Sequence, residues 1–552
     1  MESCGAFFRG QSGTLFRAWA PAARMVTVVI GDREVPLYAM GEGVFETEVA
    51  WARPGMKYLF SVDGRSLPDP YARFLPEGVH GPAEIVDASY PWINGPQPIH
   101  LEKAPVIYEL HVGTFTDSGT YAAAELRLDH LVELGVSVIE LMPLAAFPGE
   151  RGWGYDGVAL HAPFAPYGRP EQLKHFLDTA HGRGLSVIID VVLNHFGPDG
   201  NYLGAWAPEY FDASVSTPWG PGPAFGHPRM RKLVLDVVSD WLTEYRFDGV
   251  RLDATHAIPD RSLLGEITAL AHALPQPRVV IAEDERRDPG LITQLGMDAV
   301  WADDLHHAFH VMMTGEQDGY YHAYRGTLGE LTQTLQLGWR GPSEGVARDR
   351  LVTCLQNHDQ VGNRALGERI SALADRRSLD AATLLWLLLP TTPLIFMGQE
   401  WGASTPFLYF TDHTPDLGEK VVEGRRREFA KFTSFAGANI PSPQAESTAA
   451  ASTLRWGEIA SAPHRQTLEL FRQAIALRRT DVVFSRPRAS TLEVRNHGAV
   501  LEVTLRKGRE RRMILWNTGN TPVPCPRRAL LASERLSDAV LPPRVAAIFR
   551  ED

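Results

Sequence analysis

Eight apolar stretches of the chain finish in side chains that can move a proton or hold a hydroxyl group. The first ends in His111, the second in Glu140 and Pro143, and the third in Asn194-His195. The fourth carries Arg251 and Asp253, with His256 just beyond. The fifth ends in Glu283-Asp284, and the sixth is followed by Asp303-Asp304 and His306-His307. The seventh ends in Asn357-His358-Asp359 and the eighth in Gln399-Glu400. The fourth is the sharpest. Phe247, Val250 and Leu252 give it strand character, yet Arg251 and Asp253 stand where an internal strand should avoid charge. A buried charge is costly, so such a pair is mutually compensated or functional. Taken alone, a structural Arg–Asp pair is as good a reading as catalysis, and a lone Asp at a strand end commonly caps the next helix. Recurrence at eight strand ends favours a site.

Converging carboxylates without a Cys/His metal pattern suit glycosyl chemistry. One carboxylate attacks the anomeric carbon or activates water, and another protonates the leaving oxygen. Crowding raises the pKa of at least one acid, while an arginine beside the nucleophile keeps that group ionised. This makes Asp253, next to Arg251, the candidate nucleophile. Glu283, at the end of Val279-Val280-Ile281-Ala282, is the candidate acid/base.

The elements that must position these groups read as βα units. Strands are expected at 106–111, 136–143, 185–195, 247–253, 278–283, 298–301, 351–355 and 394–397. Helices are expected at 121–134, 171–182, 229–245, 263–273 and 378–389, and the helix 464–479 could close the ring. Such alternation implies parallel strands with right-handed crossovers, and eight units imply an α/β fold, a (β/α)8 TIM barrel. Residues 1–90 read instead as short strands punctuated by Pro and Gly turns, an N-terminal β-sandwich. Residues 91–105 form a proline-marked linker, 106–480 the barrel, and 481–552 a small C-terminal β-domain. The Gly/Pro-rich piece 216–228 reads as a loop with Trp219 exposed.

A chain of 552 residues is long enough for about three or four domains. Its net charge of −12 argues against nucleic acid or an anionic membrane as partner. Three cysteines, far apart and without CxxC, suggest neither a disulfide framework nor a zinc cluster, and fit a reducing cytosol. No apolar leader opens the chain and no apolar run could span a bilayer. A cytoplasmic protein without membrane association is expected.

Asp190-Val-Val-Leu-Asn-His195, Gly249-Val-Arg-Leu-Asp253, Ile281-Ala-Glu283 and Asn357-His-Asp359 resemble the four short motifs of the α-amylase family, in that family's order. The resemblance implies a retaining α-glucosidic enzyme with Asp253 as nucleophile, Glu283 as general acid/base and Asp359 as a third carboxylate that stabilises the transition state. Arg251, His195, Asn357 and His358 then match substrate-binding positions. Trp153-Gly154-Tyr155-Asp156 resembles the segment whose tyrosine stacks on the sugar at the cleaved bond; core packing is the alternative for Tyr155. Asn194 matches a calcium-binding position of many members, but the rest of that site is missing, so no metal and no cofactor are expected.

Longer segments resemble the family members that release trehalose from maltooligosyltrehalose. They are Gly249–His256, Val300–His307, and the stretch with Phe396–Gly402, Tyr409–His413 and Glu423–Phe429. This implies substrate contacts from Leu252, Ala254, Thr255, His256, Asp303, Asp304, Leu305, His306, His307 and Gln399, with Trp219 as a further stacking surface. Asp303-Asp304 could equally be a solvated turn. The implied substrate is an α-glucan oligosaccharide cleaved at the α-1,4 bond next to a terminal trehalose unit. A branching or debranching enzyme of the same family would share the carboxylates, and a non-catalytic glucan-binding protein is the reading from another class. Oligomeric state is not legible.

Overall fold

In the computed structural model, which describes residues 2–340, 345–429, 440–537 and 539–551, eight parallel strands close into a barrel. Residues 341–344 and 430–439 of the expected barrel span, and 538 and 552 of the C-terminal span, lie outside the described residues. The strands are β1 (Ile107–Leu110), β2 (Val138–Leu141), β3 (Ser186–Val191), β4 (Gly249–Leu252), β5 (Val279–Ala282), β6 (Ala299–Trp301), β7 (Leu351–Thr353) and β8 (Thr392–Phe396). They are short runs of buried Val, Ile and Leu, as strands covered on both faces require.

Alternation along each strand sorts the side chains. One set, including Ile107, Val138, Ile188, Ile281, Val352 and Leu394, forms an apolar cluster inside the barrel. The other, including Tyr108, Ile139, Val187, Val250 and Val280, joins the layer under the helices. Gly249 opens β4 because a Cβ there would lie 2.4 Å from a Val279 methyl. The register sets Glu109 beside Glu140 and Asp190 beside Arg251. The apolar barrel floor is thus followed by a charged layer, and the catalytic candidates stand beyond it at the strand ends.

Helix Ala462–Thr480 packs between Arg376–Leu388 and Leu128–Leu134 and completes the helical ring. Its Arg478 is buried and donates to the carbonyls of Ala104, Leu387, Leu389 and Thr391, satisfying the loop that enters β8. The expected helix 121–134 is broken into Tyr121–Glu125 and Leu128–Leu134. The expected loop 216–228 is in part a hairpin, Phe211–Thr217 paired with Gly220–Pro223.

Before the barrel lie two antiparallel sheets, one holding Thr14–Trp19 and Val44–Val49, the other Val26–Ile30 and Lys57–Val62. Their shared core takes in Ala159, Ala162 and Trp206 of the barrel. After the barrel comes a five-stranded antiparallel sheet built on Thr491–His497, Val500–Lys507, Glu510–Asn517 and Ala546–Glu551. Among the described residues no helix is long and apolar enough to cross a membrane.

Candidate active site

Arg251 lies at the centre of the charged layer, with no exposed surface. Its Nη1 donates to Asp190 Oδ2 (2.5 Å) and to Asp253 Oδ1 (3.0 Å), and its Nη2 to Glu283 Oε2 (2.7 Å). One guanidinium therefore ties the candidate nucleophile and acid/base together, in a planar fork no lysine could supply. It also sits 4.2 Å over the ring of Trp301 on β6. Asp253 takes a second bond at Oδ2 from Asn194 Nδ2 (2.7 Å). Asn194 is thus engaged with a carboxylate, and no group of three or more His, Cys, Asp or Glu among the described residues is placed to hold a metal.

The turn after β4 is strained. Ala254 adopts φ +41°, which a side chain disfavours, and its N–H donates to Glu283 Oε2 (3.0 Å). Thr255 next to it is fully buried and bonds the Glu283 carbonyl and Asp284 Oδ2, both at 2.8 Å. Two successive residues thereby fix the end of β5.

Asp359 is reached through His358, whose Nε2 stands 3.4 Å from Asp359 Oδ2. His358 Nδ1 meets Glu109 Oε1 at 2.5 Å, and its backbone N–H donates to the other oxygen of Glu109. Burial works against a charge on this imidazole, but Asp359 and Glu109 outweigh it and raise the group to about 10. The ring is stacked against Tyr155 at 5.1 Å, and Tyr155 donates to Asp190 Oδ2 at 2.5 Å. Asn363, one helical turn past Asp359, donates to Asp359 Oδ1 at 3.1 Å.

Beside these groups opens a cavity of about 480 Å³ lined by Glu283, Asp359, Asp303, Trp301, Trp339 and Tyr320, among others. Asp303 faces Glu283 and Asp359. Burial, then those two charges, push its carboxyl up to about 7. His307 lines the same cavity, and burial lowers it to about 4, so it is a neutral hydrogen-bonding group at pH 7. On the opposite side His195 bonds the carbonyl of Tyr155 and carries Trp219 stacked at 3.7 Å. Trp219 is 41% exposed, at the tip of the hairpin.

Other expected contacts lie elsewhere. Asp304 is occupied: it takes two bonds from Arg287, one from Tyr324 and one from the Arg340 backbone. Leu252 and Leu305 belong to the core under the helices. His306 is buried between the Leu355 carbonyl and the Tyr321 hydroxyl. Asn357 caps the helix that starts at His358. His256 is 3.6 Å from Glu285, and Asp156 is 3.5 Å from His413. Trp153 donates to Leu408 O and stacks on Phe407, with its ring perpendicular to that of His358. Gln399 belongs to a different cavity. Sequence reasoning passed over Glu109, Tyr320, Trp339 and Asn363. Asn363 was within reach through its i, i+4 offset from Asp359; Tyr320 sits in the short 3-10 turn Gly319–Ala323 and Trp339 just past the helix Leu328–Leu337, neither with a periodic signal.

The alpha amylase catalytic-domain family model matches residues 111–208. A malto-oligosyltrehalose trehalohydrolase of Deinococcus radiodurans is 45% identical over 96% of this chain and 93% of its own length. One from Arthrobacter ramosus is 42% identical over 84% of this chain and 87% of its own. Among solved structures, a Salmonella typhimurium protein described as an alpha amylase superposes over the whole of both chains, with a TM-score of 0.92 and 37% identity. On this similarity, and on motifs standing at the ends of β3, β4, β5 and β7, the chain belongs to the malto-oligosyltrehalose trehalohydrolases of the α-amylase family.

Proposed function

We propose that the chain hydrolyses the α-1,4 bond next to the terminal trehalose unit of maltooligosyltrehalose, releasing trehalose and a maltooligosaccharide with retention at the anomeric carbon. The observation that carries this reading is the single guanidinium bridging Asp253 and Glu283, beside a cavity that Glu283 shares with Asp359. Glu283 donates its proton to the glycosidic oxygen while Asp253 attacks the anomeric carbon, so the sugar–oxygen bond breaks as a glycosyl–Asp253 ester forms. Water, deprotonated by Glu283, then opens that ester and restores both carboxyls. Arg251 and Asn194 hold the Asp253 carboxylate in position for attack, and Asp359 stabilises the positive charge that develops on the sugar ring. Tyr155, Trp219 and the cavity wall supply surfaces for glucose faces. A cytosolic location suits cysteines that are all unpaired.

Glu283→Gln should fold normally and lose about 10²–10⁴-fold in kcat. Asp253→Ala should yield a folded protein of equally poor turnover. Maltooligosyltrehalose is the substrate to supply, with free trehalose as the product measured. Near-normal turnover in either variant removes the role assignments. A wild-type enzyme that makes no trehalose but lengthens or branches a glucan refutes the substrate instead.

A further inference from the structure

We infer that Glu109, inside β1, is a positioning residue for this reaction: it clamps His358, and through that imidazole fixes Asp359 at the sugar ring. The inference rests on the retaining mechanism proposed above and adds to it a group that meets no substrate. Glu109 and His358 are each 1% exposed. One oxygen of Glu109 accepts the His358 backbone N–H at 3.0 Å, and the other faces Nδ1 at 2.5 Å. On the far side of the ring, Nε2 stands 3.4 Å from Asp359 Oδ2. An ionised carboxylate only accepts hydrogen bonds, so an imidazole between two of them carries hydrogen on both nitrogens. Deprotonated at Nε2, the ring would turn a lone pair on Asp359 and repel it.

Groups on the neighbouring elements bear on that charge. Arg251 on β4 opposes it. Burial, and His358 itself, lower His111 to about 4, so it is neutral at pH 7. Glu140, paired with Glu109 in the register, has neither oxygen hydrogen-bonded among the described residues. Burial and the Glu109 charge hold its proton on, so it adds no second anion. Burial likewise keeps the protons of Tyr155, stacked on the ring, and of Cys354, just past β7. Two anions remain against the ring, Glu109 and Asp359. Asp359 lines the open cavity, where substrate and water reach it. Glu109 is shut off from both, so its charge stays constant while the cleft fills and empties.

The test substitutes Glu109→Gln, which keeps the size, removes the charge and puts an amide donor where His358 needs an acceptor. Nitrogen NMR of the full-length protein, labelled at histidine, reads the ring directly; the His358 signal is the one lost in His358→Gln. It should stay doubly protonated from pH 5 to pH 9 in the wild type and lose a proton within that range in Glu109→Gln. Kinetics give the second readout, as the ratio of variant to wild-type kcat, in which the titration of Glu283 common to both cancels. That ratio should fall at least about ten-fold between pH 5 and pH 8, since each pH unit above the pKa of a required cation removes about ten-fold. Glu109→Asp restores the charge, and its ratio should be flat with pH even where the shorter arm lowers kcat. A wild-type His358 that loses its proton near pH 6.5, or a Glu109→Gln ratio unchanged with pH, overturns the inference and leaves Glu109 a packing residue. Should Glu109→Gln not fold, the wild-type titration decides alone. If the wild type releases no trehalose, the proposed function fails, while the NMR titration still decides the role of Glu109.

Discussion

Seven carboxyl groups (Glu109, Glu140, Asp190, Asp253, Glu283, Asp303 and Asp359) share the barrel mouth with two cations, Arg251 and His358. They cannot all be ionised at neutral pH. Protons remain where burial is greatest: burial pushes Glu140 well up, and likewise lifts Asp190 to about 7. Asp303, also raised to about 7, is the member of the set that faces the cavity without an ion-pair partner of its own among the described residues. Its ordinary value is 3.8, so the folded chain holds this proton more tightly than the unfolded one, and its contribution to stability falls as pH rises from about 4 to 7. Asp303→Asn should accordingly raise stability by at least about 1 kcal/mol at pH 8 and change it little at pH 4, read from thermal melts at both. An equal shift at the two pH values would mean that Asp303 carries no raised pKa. Residues of this layer were legible in unequal measure. Asp253, Glu283 and Asp359 announce themselves because charge ends an apolar run. Glu109 hides inside a strand, and only the pairing of His358 with it shows what it does. Leu305 and His306 match a motif, but the phase of helix Asp304–Thr314 turns them into the core.

At the scale of elements, the barrel was readable because its strands are covered on both faces and so leave continuous runs of Val, Ile and Leu. The hairpin Phe211–Pro223 was not. Its second strand, Gly220–Pro223, has neither β-branched residues nor alternation, and its prolines lack the N–H that a central strand needs. Its register is broken between Asp212 and Ser216, which further blurs any period of two. The break in the helix expected at 121–134 is equally silent, since Leu126 and Arg127 are good helix formers. Yet the hairpin delivers Trp219 onto His195, above Asn194 and hence Asp253. It adds binding surface and touches no reacting atom. Trp219→Ala should therefore raise KM about 2–10-fold and leave kcat within about two-fold, the pattern of lost uniform binding. A fall in kcat at unchanged KM would show instead that the indole holds His195 and Asn194 in place for chemistry.

For the molecule as a whole, the N-terminal sandwich grips the helix that leads into β4. Arg73 pairs with Asp240 at 3.0 Å and with Glu244, both at the C-terminal end of helix Pro228–Thr243. Around this contact Tyr71 and Tyr210 share a hydroxyl–hydroxyl bond at 2.8 Å, and His161 meets Asp240 at 2.7 Å. Five residues past Tyr245 the chain has entered β4, so the grip bears on the strand that carries Arg251. Burial would raise Asp240, but His161 and Arg73 overcome it and hold the carboxyl below its ordinary range. Its stabilising contribution is then complete above about pH 4 and is lost as pH falls through the lowered value. Arg73→Ala removes one cation from two half-buried carboxylates, leaving Asp240 with His161 and Glu244 with Lys174, and should cost about 1–2 kcal/mol at pH 7. The deficit should shrink on acidification, because protonated Asp240 no longer needs the guanidinium. Denaturant melts at pH 7 and pH 3 measure both. Turnover under conditions where the variant stays folded should match wild type if the sandwich only fixes the helix. A drop in kcat in fully folded Arg73→Ala would mean that the position of β4, and with it the geometry of Arg251, depends on the docked domain.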